Sequence, residues 1–319
     1  MRQAGKTDEM ARTAGGRPGA VLLAARAASV ACLVGLTAAG GLGLGALLPF
    51  AAAQAQESGA APAEVAASVE TLIGTMRLAD TVEILREEGQ KYGRTLEADM
   101  FPGAGGAGWE ATVALIYDAP RMQQVLGEAL QRELARAPEE IAAMQAFFAS
   151  DLGQKVLKLE IEARRTLLDE AAEEAARLAW EDLEADDPAR VDLLERFVQA
   201  NDLVESNVMG ALNANLAFYR GMADGGAFGG EMTEEQMLAD VWAQEADVRG
   251  QTTDWLYPYL TLAYGPLSEG ELQDYTAFSS SPAGQVLNAA LFAAFDEVFS
   301  PVSRALGLAV AQQMQGQDI

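Results

Sequence analysis

The chain has 319 residues, half of them apolar, and 22 basic against 47 acidic side chains give a net charge of −25 with no histidine at all. A surface this acidic repels phosphate backbones and anionic lipid headgroups, which excludes nucleic acid as a partner. Missing histidine removes the commonest general base and metal ligand, and the single cysteine, Cys32, lies in an N-terminal apolar run, so a processed chain would carry no thiol either. Any catalysis would rest on carboxylates, hydroxyls, Lys or Arg, and no cofactor is expected.

Met1 to Arg26 carries five basic residues, and no charge follows from Ala27 to Gln56. Pro49 breaks the run, and Ala53-Gln54-Ala55 fits the small-x-small rule for leader cleavage. The reading is a signal peptide over residues 1–55, cleaved after Ala55, and a periplasmic chain. Ala27 to Ala55 left uncleaved would instead be an inner-membrane anchor, since about 20 apolar residues span a bilayer. Gln56 onward holds 17 basic and 45 acidic residues, a net of −28.

The mature part reads as all-α: alanine, leucine and glutamate dominate, isoleucine is scarce, and no segment alternates in the manner of a strand. Helical spacing runs from Glu64 to about Tyr92, where Val65, Val69, Leu72, Ile73 and Met76 share a face. Pro102 and the glycines from Gly103 to Gly108 end that unit. Helices are then expected over Trp109–Tyr117, Pro120–Arg136, from Pro138 to about Phe148, and from Asp151 to about Leu183. An acidic break, Glu184 to Pro188, separates residues 64–184 from residues 188–316. Beyond it helical spacing resumes up to Tyr219, and a second glycine loop covers Gly225–Gly230. Further helices are expected over Glu234–Ala246, behind a Thr233-x-x-Gln236 capping box, and over Thr253–Tyr264, Ser268–Phe278 and Pro282–Phe299. A terminal segment starts at Pro301.

These landmarks come twice in one order. Asp80-x-Val82-Glu83 is echoed by Asp202-x-Val204-Glu205, each 23 residues before a glycine loop, and Tyr117 and Trp242 follow those loops. Then A-F-x-x-S-x-x-G-Q appears as Phe147, Ser150, Gly153 and Gln154, and again as Phe278, Ser281, Gly284 and Gln285. The spacing predicts a helical bundle of two duplicated units of about 120 to 130 residues. In each corner serine caps the second helix, glycine permits a close backbone approach by another helix, and glutamine hydrogen-bonds across the contact. The helix after Gly284, Val286 to Phe295, is apolar nearly all round and is expected to be the central helix.

The F-x-x-S-x-x-G-Q corner followed by an amphipathic helix resembles the bacterial domain-of-unknown-function family 2059, most clearly over Ala135 to Leu168 and again over Ser268 to Phe299. Pro282 keeps a proline common in that family, Asp151 departs from it, and Ser279 replaces a second aromatic. The resemblance implies a small exported, all-helical module with no assigned chemistry and no catalytic residue.

Other features invite a site. Gly103-x-Gly105-x-x-Gly108 fits a dinucleotide fingerprint as a string but lacks the strand before it, and reads as a connector. Glu170, Glu173, Glu174, Glu181, Asp182, Glu184, Asp186 and Asp187 lack calcium-loop spacing and read as a solvated helix face. Trp255, Tyr257, Tyr259 and Tyr264 form the densest aromatic cluster, with Trp255 and Tyr259 on one face beside Leu262, and read first as core packing, with a ligand-lined groove as the alternative. The first functional reading is a non-enzymatic module binding an envelope protein or component. The second is a small-ligand binder with an aromatic groove at Trp255 and Tyr259, and the third, least favoured, a carboxylate-based hydrolase.

Overall fold

The computed structural model describes residues 62–316, so the leader or anchor expected over residues 1–55, with Cys32, lies outside the described residues. The described residues are helical and contain no strand. In chain order the helices are α1 (Pro62–Thr75), α2 (Leu78–Met100), α3 (Gly106–Ile116), α4 (Ala119–Leu134), α5 (Ile141–Phe148, preceded by a 3-10 turn at Pro138–Glu140), α6 (Asp151–Thr166) and α7 (Glu170–Asp186). They continue as α8 (Pro188–Ala200), α9 (Leu203–Asp224), α10 (Glu234–Trp242), α11 (Glu245–Tyr264), α12 (Glu269–Ser279) and α13 (Pro282–Met314).

Several boundaries differ from the sequence reading, each for a local reason. The helix expected across 64–92 is broken at Arg77, whose φ of 57° is left-handed. The break lets Met76 and Leu78, two residues apart and on opposite faces of one helix, both turn into the core. The helix expected from Asp151 to Leu183 stops at Thr166, because the Asp169 carboxylate accepts from the amides of Ala171 and Ala172 and starts α7 afresh. A similar break at Ala243–Gln244 starts α11 earlier than expected. Pro301 does not begin a segment: α13 runs through it, with the ring on an exposed position. The capping box at Thr233 and Gln236 forms, and a second one joins Ser268 to Glu271.

The core is organised on α13. Leu287, Leu291, Ala294 and Phe295 are at most 3 % exposed, and α13 packs most extensively on α9 and α4. Against α9 the contact is backbone to backbone. A Cβ on Gly221 would lie 2.0 Å from the carbonyl oxygen of Arg304, and one on Gly307 would lie 2.1 Å from that of Phe218. Glycine at both positions lets the helices touch. Among the described residues α13 is the one helix long and apolar enough to cross a bilayer, and over half of its most apolar window is buried inside the fold. A second core gathers Phe197, Tyr259, Tyr264 and Tyr275 with residues of α6, α7 and α8, and Phe147, Phe278 and Phe292 pack against both cores.

Candidate functional site

The repeated corners have closely matching geometry. Ser150 and Ser281 take extended backbone, with ψ of 163° and 161°, just before α6 and α13. Each hydroxyl donates to the phenylalanine carbonyl three residues earlier at 2.6 Å and accepts from the glycine amide three residues later, at 3.0 and 3.1 Å. Such a cap contributes about 1 kcal/mol. A Cβ on Gly153 would lie 2.1 Å from the Phe147 carbonyl oxygen, and one on Gly284 would lie 2.2 Å from that of Phe278. The close approach is therefore made by the last turn of the preceding helix, not by a separate helix as the sequence suggested. Gln154 donates to the carbonyls of Phe148 and Thr75 and so ties α1 to the corner. The two corners also meet. The Phe147 and Phe278 rings stack with centroids 3.8 Å apart and planes at 3°.

Behind the corners lies a buried acid that the sequence did not mark. Glu160 on α6 is 8 % exposed, and its Oε1 accepts from the hydroxyls of Tyr264 at 2.8 Å and Tyr275 at 3.0 Å. Tyr259 donates to the Glu160 backbone carbonyl at 3.1 Å. Burial pushes the Glu160 carboxyl up to about 7, against the opposing pull of the two phenol hydrogen bonds. One turn on, Arg164 makes a two-pronged pair with Glu88 of α2, both bonds at 2.8 Å. The cluster is sealed by packed rings and reads as a polar lock between α6, α11 and α12.

The largest of the concave surfaces described lies where α7 runs beside α11. This groove has a volume of about 830 Å³, within the range of small-molecule sites, and is lined by Trp180, Trp255, Tyr257, Pro258 and Leu167 among carboxylates from α7, α8 and α11. The half-buried rings of Trp180 and Tyr257 stack at 4.7 Å. Trp255 stacks on Tyr259 at 4.9 Å. Seven acids line the space, Glu170, Glu173, Glu174, Glu181, Glu184, Glu195 and Asp254, with Arg177 as the one cation in the lining, and it bridges Glu174 and Glu181. Burial raises the Tyr257 phenol, and the charges of Glu195 and Glu184 raise it further.

The sequence-predicted groove residues thus part company. Trp255 lines the groove, whereas Tyr259 is 1 % exposed and points inward to Glu160, and Leu262 is 37 % exposed. Two runs read separately, Trp255 and Tyr257 of α11 and the α7 acids, line one groove together with Trp180. Ser150, Gly153, Ser281 and Gly284 stay at their corners and line no part of it. The glycine string at Gly103–Gly108 closes on the protein's own acid, since the amides of Gly105 and Gly106 both donate to Glu97 at 3.1 Å. Tyr117 and Trp242, paired by the sequence echo, are placed differently, at 2 % and 54 % exposure. Among the described residues no group of three or more Asp or Glu side chains is arranged to hold a metal ion.

An all-helical chain with two capped corners and a lateral aromatic–acidic groove is the class of molecule these residues define. Residues 120–181, from α4 through most of α7, match the sequence model of a family described as an uncharacterized protein conserved in bacteria (DUF2059). The resemblance read from the first corner is thereby shown for that segment. No curated protein and no solved structure matches the chain.

Proposed function

We propose that this chain is an exported, non-enzymatic binding module of the cell envelope that holds a small ligand in the groove between α7 and α11. One observation carries the reading: Trp180, Trp255 and Tyr257 come from two separate helices to line a single concave space of about 830 Å³. Rings left half-buried in a concavity offer a ligand apolar area at little entropic cost. Export is supported by the basic leader and the Ala53-Gln54-Ala55 site, with an uncleaved inner-membrane anchor as the alternative. A non-enzymatic role is supported by the lack of histidine and, after processing, of any thiol. An envelope protein remains the alternative ligand, favoured by the exposed Trp242 and Leu238 on α10.

The reading includes duplication of one helical unit, with residues 64–184 and 188–316 as its copies. Several pairs of contacts support it. α1 packs on α5 as α8 packs on α12, and the helix after each corner packs on the other half, α6 on α11 and α13 on α4. Reciprocal contacts of this kind are what a two-fold relation would give, since residues near its axis meet their own equivalents, as Phe147 would in meeting Phe278. Arg77 and Asp202, the two non-glycine residues with positive φ among the described residues, open α2 and α9 alike. That pairing is shifted three residues from the Asp80–Asp202 echo in the sequence.

A thermal-shift panel of neutral, cationic and anionic small molecules tests the ligand reading. At a hundred times Kd, a ligand stabilises by about 2.7 kcal/mol, a rise of several degrees. The shift should vanish in Trp255→Ala and Trp180→Leu. A panel with no shift, or a shift that survives both substitutions, would defeat the reading.

A further inference from the structure

We propose that the ligand of the α7–α11 groove is a flexible organic polycation of the linear polyamine class, its ammonium groups held between the Trp180–Tyr257 ring pair and the carboxylates of Glu184 and Glu195. The proposal rests on the reading of this groove as a ligand site and adds the chemistry of the occupant.

Charge complementarity is the first argument. The lining carries seven carboxylates and one guanidinium; Glu174 and Glu181 are engaged by that guanidinium and Glu170 lies 3.9 Å from Lys91, so the acids left to a ligand are chiefly Glu184, Glu195 and Asp254. Glu184 and Glu195 come from different helices, α7 and α8, and both line the groove together with Tyr257. Like charges gathered at one concavity repel, and a cation there relieves the repulsion. The rings supply the second argument. Stacked aromatic faces beside carboxylates favour an alkylammonium, which offers methylenes to the rings and charge to their π faces, over a hydrated inorganic ion.

Shape is the third. The acids are strung along α7 from Glu170 to Glu184, about 21 Å at 1.5 Å per residue, instead of converging on one point. Distributed charge of this kind fits several ammonium groups on a chain and does not fit one quaternary ammonium in a closed cage. A space of about 830 Å³ is within the range of small-molecule sites.

The test uses the purified full chain and its tryptophan fluorescence, titrated with spermidine and, separately, with a neutral naphthylamine dye and with calcium at matched ionic strength. Saturable spermidine binding is expected, about tenfold weaker in Glu184→Gln/Glu195→Gln and in Trp180→Leu. The charge-matched control Glu110→Gln/Glu128→Gln, altering α3 and α4 away from the groove, should bind as the parent does. Equal weakening by both double variants, or equal displacement by calcium, would reduce the effect to a counterion atmosphere and overturn the proposal. A lysine hexapeptide binding more than tenfold tighter than spermidine would overturn it in favour of a protein partner. Dye binding sensitive to Trp180→Leu without spermidine binding would keep the groove as a site and remove the polycation. Binding of neither would remove both.

Discussion

Glu160→Gln is the substitution whose effect the structure specifies most closely. Burial pushes the folded carboxyl up to about 7, while an unfolded glutamate titrates near its ordinary 4.5. A folded pKa above the unfolded one means that the folded state binds the proton more tightly. The group's contribution is therefore fully present below about pH 4.5 and is lost as pH rises to about 7. With about 1.4 kcal/mol for each pH unit, the loss across that window is roughly 3 kcal/mol. Other carboxylates titrate too, and Glu271, held down to about 2 by Lys155 and by the Ser268 backbone and hydroxyl, acts in the opposite sense at lower pH. Comparison with the variant cancels them. Urea unfolding of both proteins at pH 5, 6, 7 and 8 should show the parent losing roughly 2.5 kcal/mol relative to Glu160→Gln between the ends. The amide oxygen can still accept from Tyr264 and Tyr275, so the variant should fold. Parallel pH profiles for the two proteins would refute the assignment of Glu160 as a buried, protonated lock.

Other substitutions test the packing account. Gly153→Ala and Gly284→Ala should each destabilise by about 2 kcal/mol or more in urea unfolding, since the new Cβ meets backbone and not a movable side chain. Gly210→Ala on α9, with nothing within 4 Å of the new carbon, should stabilise by about 0.5–1 kcal/mol in the same assay. Arg164→Ala should cost about 3 kcal/mol because it strands Glu88 beneath the surface, a loss that Arg164→Ala/Glu88→Gln should partly restore. A double-mutant cycle between Phe147→Leu and Phe278→Leu should return a coupling of about 1 kcal/mol if the two corners stack as described.

Much of the fold was legible because its signals are local. Serine caps, the Thr233 capping box and proline at the start of α4, α8 and α13 act within one turn, so sequence alone could place them. The apolar run after Gly284 could only be buried, and it forms the central helix. Breaks at Arg77 and Asp169 were hidden because neither residue type demands one: the left-handed turn at Arg77 is imposed by packing of Met76 and Leu78. The site was legible in halves. Trp255 was found from its neighbours, but Trp180 lies alone among acids 75 residues earlier, and only the pairing of α7 with α11 brings it to Tyr257. Glu160 gave no signal, since its meaning comes from three tyrosines on distant helices.

The central claim is that the α7–α11 groove is where this protein takes its ligand. Hydrogen exchange with and without saturating spermidine reads it directly. The account predicts slower exchange confined to α7, the turn of α8 around Glu195 and residues 253–258, with α3, α4 and the α9–α13 pair unchanged. Uniform slowing over the whole fold, or protection centred on α10 and Trp242, would contradict it.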